Sequence, residues 1–189
     1  MDSRVFFYMS YRDVALCLHL MKNLFAILFF SLAVSACSMS DPDLRLYVLD
    51  CGDIKMDMSA FSRDGAFAGE VGALSNPCFL IRHPKGDLIW DTGFDEALVD
   101  QPNGIDTPGF KAKMAVRLTD QLAKLDMKVE DIEFIALSHS HPDHAGNANL
   151  FRSSIFLTHR EEHAFMFNDE RRKDETQFPF FADLEQAES

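Results

Sequence analysis

An α/β (α+β) fold is predicted by three features: short β-rich runs bounded by turn residues, one amphipathic helical stretch between them, and a nearly continuous apolar strand that ends in a cluster of histidines. Leu44 to Asp50 (LRLYVLD) alternates and is β-rich, so it reads as a strand. Gly52 to Pro77 is sprinkled with Gly, Ser and Asp and reads mostly as loop. Cys78 to His83 (CFLIRH) and Asp87 to Asp91 (DLIWD) flank a Pro-Lys-Gly turn and form a hairpin, with Trp90 assigned to the core. Gln101 to Gly109 holds two Pro and two Gly and reads as loop. From Lys111 to Leu125 the apolar positions Met114, Ala115, Leu118, Leu122 and Leu125 recur at helical spacing. Ile132 to Ser138 (IEFIALS) suits a buried strand. Asn147 to Phe151 follows as a short helix, Ser153 to His159 as a strand and residues 160–167 as a helix, while the charged stretch Asn168 to Lys173 reads as solvated.

Composition narrows the function. The 189 residues are 47% hydrophobic with 18 Phe, enough for a packed core in one domain or in part of a larger one. A formal charge of −12 leaves no basic stripe to neutralise phosphates, so nucleic acid is not an expected partner. Cys17, Cys37, Cys51 and Cys78 form no CxxC pair, which argues against a structural cysteine–zinc site. Cys51 and Cys78 could pair in an oxidising compartment.

The N-terminus carries an address. Met21-Lys22-Asn23 precedes a largely apolar run of 13 residues, Leu24 to Ala36, that ends on small residues. This is the pattern of a secretory signal, and it is shorter than the ~20 apolar residues of a spanning helix. Val34-Ser35-Ala36-Cys37 resembles a bacterial lipobox, in which the cysteine is lipidated and becomes the mature N-terminus. The alternative is a plain signal peptide that ends near a cysteine. The expected organisation is a leader extension at 1–20 ahead of a start at Met21, a lipoprotein signal at 21–36, and an exported domain from 37 to 189. The Ser38 that follows is compatible with an outer-membrane lipoprotein facing the periplasm, held by its lipid anchor.

The chemistry concentrates in Ser138-His139-Ser140-His141-Pro142-Asp143-His144-Ala145-Gly146. Three of the chain's seven histidines fall here, with one carboxylate. Imidazole nitrogen and carboxylate oxygen are the donors zinc favours. In a loop at a strand's end, His139 and His141 can turn toward one ion while Asp143 and His144 aim at a second. His83, His159 and His163 lie at a turn, a strand end and a helix, and read as ordinary surface histidines.

HSHPDHAGN resembles the HxHxDH signature of metallo-β-lactamase-fold hydrolases. Asp91-Thr92-Gly93 resembles that superfamily's DTG turn. LYVLDCG, NPCFLIRHPKGDLIWDTG and IEFIALSHSHPDHAGNANLF are similar to the N-acyl homoserine lactonase branch. The resemblance covers about residues 44 to 167 and implies an αββα sandwich holding two Zn2+ ions. It implies His139, His141, Asp143 and His144 as metal ligands, and Asp91 as the residue that orients the ligand loop by hydrogen bonds. A plain strand-ending turn is the alternative role for Asp91. The implied reaction is opening of a lactone or ester ring such as an acyl homoserine lactone, with Asp143 also passing a proton to the leaving alkoxide. A β-lactamase or thioester hydrolase of the same fold is the alternative, as is an inactive metal-binding remnant. The family's later His, Asp and His have no counterpart after His144, so the residues present are expected to form the N-terminal half of that fold, with one apolar sheet face left open.

Export gives the first test. The protein is expected in the membrane fraction, to label with palmitate, and to become soluble on Cys37→Ser; a soluble, unlabelled wild-type chain would select the plain signal peptide.

Overall fold

The computed structural model describes residues 43–189; the expected leader extension and signal, and Cys37, lie outside the described residues. Seven strands form one sheet in the order β4-β5-β1-β2-β3-β6-β7. They are β1 Arg45–Asp57, β2 Val71–Arg82, β3 Leu88–Trp90, β4 Ile105–Thr107, β5 Phe110–Lys113, β6 Phe134–Ala136 and β7 Ile155–Leu157. Among the described residues, three short α-helices, α1 Leu118–Ala123, α2 Pro142–Ala145 and α3 Arg160–Met166, and several 3-10 turns complete the fold. Among the described residues, no helix is long and apolar enough to cross a membrane.

The hairpin around His83–Gly86, the strand before the histidines and the helix at 160–166 lie where the sequence predicts them. Three expectations are corrected. Gly52 to Pro77 is strand at both ends and loop only between: β1 and β2 run on as a long antiparallel arm, paired from Asp53↔Ser75 to Asp57↔Val71. Asp53 to Asp57 alternates polar and apolar residues as a strand with one solvated face does, but the register shift between Asp50 and Asp53 sets it off from the run before it. Residues 105–113 form the β4–β5 hairpin, because β5 adds to β1 through Asp53↔Lys113 to Met56↔Phe110. The predicted helix therefore shrinks to Leu118–Ala123, and Ala112 and Met114 join a small second core with Ile54, Phe94 and Leu98. Trp90 is not core: it is 41% exposed, on the sheet face that carries no helix.

The two sheet faces differ sharply. On one, Leu49, Leu80, Ile89, Ile135 and Phe156 pack against Leu118 and Leu122 of α1, Phe151, Met166, Phe181 and Leu184. On the other, Leu46, Val48, Trp90 and Leu157 alternate with those core positions and stay exposed. Burying one such side chain fully is worth about 1.5–3 kcal/mol, so this face represents a large unspent driving force for association. The segment after α3 folds back through 3-10 turns, and Phe167, Phe178 and Phe181 pack edge-to-face.

Parallel pairing decides where the site falls. β3 and β6 run parallel with Trp90 opposite Ala136, so the residues after each strand emerge side by side at their C-terminal ends. Behind them Cys51 and Cys78, both fully buried, form a disulfide that joins β1 to β2 beside the bulge between Asp50 and Asp53. With 27 residues of sequence separation, closing that loop should contribute about 3–4 kcal/mol. Denaturant unfolding with and without reductant checks this: the reduced protein or Cys51→Ser should lose stability of that order.

Candidate metal centre

The motif occupies the loop from Ser138 into α2, and backbone rules explain its shape. His141 is extended, Pro142 opens α2 with its φ already suited to a first helical turn, and Asp143 and His144 follow on that turn. The loop is then clamped from β3. Asp91, 5% exposed and at φ +57, accepts the Ser138 N–H at 2.6 Å on one oxygen and meets His144 Nδ1 at 2.9 Å on the other. A non-glycine residue held at positive φ is a cost kept where the surroundings demand it. Thr92 donates from both its N–H and its hydroxyl to the His144 carbonyl, at 2.6 and 3.0 Å. Asn76 donates to the Asp143 carbonyl at 2.6 Å. Asn147 donates to the carbonyls of Thr92 and Phe94, at 2.7 and 2.6 Å. Gly146 lies so close that a Cβ there would sit 2.2 Å from the Asp95 backbone nitrogen. Any side chain would push the ligand loop off β3.

Within this frame the predicted donors face one another. His139, Asp143 and His144 offer atoms all within 4.8 Å of each other. His141 reaches that cluster through His139, whose Nε2 stands 3.0 Å from His141 Nδ1. His144 Nε2 is 3.2 Å from Asp143 Oδ2. The structure thus groups His139 with Asp143 and His144, and His141 joins that group through His139 rather than forming a separate pair with it. Their nitrogen and oxygen donors fit zinc. Among the described residues the other histidines stay out: His83 is in the β2–β3 turn, and His159 and His163 lie at and in α3.

Electrostatics distinguish the donors. Burial would lower the His144 pKa, but its hydrogen bonds to Asp143 and Asp91 outweigh that and hold it at about 9. Burial pushes the Asp143 carboxyl up, yet the hydrogen bond and charge of His144 win and leave it below its usual range. His139 is lowered, by burial first and then by the neighbouring His144 and His141. The Asp143–His144 pair is therefore charged, and His139 beside it is weakly basic.

Three residues that matter here were not singled out from sequence: Asn76, Thr92 and Asn147. Each sits inside a motif phrase (NPC, DTG, HAGN), but its role is to hydrogen-bond backbone carbonyls across the fold, which residue type alone does not announce.

One α layer on a mixed sheet, with histidines and an aspartate at the ends of two parallel strands, defines a metallohydrolase-like chain. Residues 71–186 match the family model of the metallo-beta-lactamase superfamily, and the chain belongs to that superfamily. An N-acyl homoserine lactonase of Azorhizobium caulinodans is 27% identical over 130 residues, 66% of this chain and 49% of its own length. One of Bacillus cereus is 26% identical over 137 residues, 69% of this chain and 54% of its own. Among solved structures, an N-acyl homoserine lactone hydrolase with the product N-hexanoyl-L-homoserine at its catalytic metal centre superposes with a TM-score of 0.56 at 25% identity, covering 66% of this chain and 52% of that one. The chain spans about half the length of the curated relatives it matches.

The charged pair makes a test in metal-free protein. NMR titration should find His144 near pH 9 and His139 below the ordinary histidine range. A folded pKa above the unfolded value stabilises the fold fully below pH ~6.5 and progressively less as pH rises toward 9. His144→Gln should remove that part of the pH dependence; an unchanged profile would contradict the ion-pair assignment.

Proposed function

We propose that this chain forms the metal-binding part of a zinc-dependent hydrolase that opens lactone or ester rings, with acyl homoserine lactones as the leading substrate class. The observation that carries the reading is the join between the donor loop and an apolar cavity. A cavity of about 370 Å3, lined by Phe94, Leu98, Ile105, Phe110 and Phe180, ends on Pro142 and Asp143. An acyl chain seated among those side chains would bring a polar ring to the donors, a division of labour usual in small-molecule sites. The similarity to acyl homoserine lactonases supports the same substrate.

His139, His141, Asp143 and His144 would hold the ions. Zinc bound there would supply Lewis-acid polarisation of the ester carbonyl and an activated water at neutral pH. Asp91 keeps His144 oriented, and Asp143 stands at the cavity's end where it could carry a proton to the departing alkoxide. A lipidated Cys37 would place this site at the outer membrane, facing the periplasm.

The test uses protein expressed from the full open reading frame, measured for zinc and assayed on an acyl homoserine lactone, a β-lactam and a thioester. About two zinc ions per chain and ring opening of the lactone are expected, with His139→Ala and Asp143→Ala each lowering turnover on the order of 100-fold or more. Preference for the lactam or thioester would move the assignment to those hydrolases, and bound zinc with no turnover would favour a metal-binding remnant.

A further inference from the structure

The loop is anchored at both ends by β3 and β2, but its middle, residues 139–141, is held from elsewhere. Ser140 lies between the first two histidines and is 3% exposed. Its hydroxyl accepts a hydrogen bond from Arg171 Nη2 at 3.1 Å. Arg171 belongs to the stretch Asn168 to Lys173 that charge pattern assigns to solvent, yet its side chain is only 16% exposed. Its backbone is set by Asn168, whose side-chain oxygen accepts the N–H groups of Glu170 and Arg171 at 2.9 and 2.8 Å. Its guanidinium also donates to Gln177 at 3.2 Å and to Asp174 at 3.4 Å. The carbon of that plane stands 5.1 Å from the Phe165 ring centroid and 6.0 Å from that of Phe181. Nε is buried with no partner among the described residues.

Fixing an arginine this firmly costs side-chain entropy and, at Nε, an unmade hydrogen bond. Asp174, Gln177 and the two rings come from the C-terminal segment that carries Arg171 itself, or from α3 just before it. Ser140 is the contact that leaves this group and reaches the histidine loop. We propose that Arg171 is a positioning residue for the metal centre: through Ser140 it ties the loop to the C-terminal segment and keeps His139 and His141 turned toward each other. A planar, permanently charged fork suits this role, because it can hold Ser140, Gln177 and Asp174 in one geometry.

The consequence for zinc rests on the function proposed above; the consequence for loop order does not. Three variants separate them: Ser140→Ala, which removes the acceptor alone, Arg171→Met, which keeps an apolar stem beside the two rings, and the double variant. Hydrogen exchange of amides 138–146 is followed in metal-free protein, and zinc affinity is followed by competition with a chromogenic chelator. Each single variant should speed exchange in that loop and weaken zinc about 10-fold. The double variant should be no worse than the more affected single, because both break one link. Unchanged exchange and affinity in Ser140→Ala, or effects that multiply in the double variant, would overturn the proposal. Should Arg171→Met fail to fold, Ser140→Ala decides alone. Wild-type protein that binds no zinc would sink the metalloenzyme reading, and loop exchange would still decide the role of Arg171.

Discussion

The Asp91 carboxylate joins the end of one strand to the loop that follows another. One oxygen takes the Ser138 N–H and the other takes the His144 ring, so the first and last parts of the histidine loop are tied to a single buried group. Hydrogen bonds to a charged acceptor are worth about 1.5–3 kcal/mol each, more than most contacts in a loop of this size. The arrangement exists because β3 and β6 are parallel neighbours. In an antiparallel pair, the strand ends would point to opposite edges of the sheet and the carboxylate could not reach both. Thr92, Gly93 and Asn147 extend the same seam, which makes the DTG turn and the HAGN segment one structural unit although they are far apart in sequence.

Around this seam the fold is asymmetric. One sheet face is closed by helices, 3-10 turns and the aromatic cluster of the C-terminal segment. The opposite face presents Leu46, Val48, Trp90 and Leu157 to solvent. In the αββα plan of this superfamily that face meets a second sheet, which is not among the described residues. The donor loop sits at the sheet's edge, between the covered and uncovered sides. Its accessibility therefore depends on what packs against the open face as much as on the loop itself.

The centre is also held from two directions of different character. The β3 side is mostly backbone-directed: side chains of Asn76, Thr92 and Asn147 fix carbonyls, which sets where Asp143 and His144 begin. The C-terminal side is a single guanidinium on Ser140. The first kind of contact follows automatically once the strands pair. The second requires a segment that folds late in the chain to come back over the loop.

The sequence by itself determined the chemistry. Six consecutive positions from His139 to His144 supply four donors, and the apolar strand before them fixes that they lie in a loop at its end. These are local facts, set by residue type and short-range geometry. The β2–β3 hairpin, β6 and α3 were legible for the same reason. Tertiary structure decided the rest. The long β1–β2 arm and the β4–β5 hairpin exist because strands there pair across the sheet; their alternation (Asp53-Ile54-Lys55-Met56, Phe110-Lys111-Ala112-Lys113) spans only a few residues beside a register shift and Gly-containing turns, so it is the partner strand that makes them sheet. Arg171 looked solvated because its charge was counted with its neighbours'; only folding brings Ser140, Gln177 and two aromatic rings to it. A donor's identity is written in its residue, but its partner is chosen by a chain that returns from a distance.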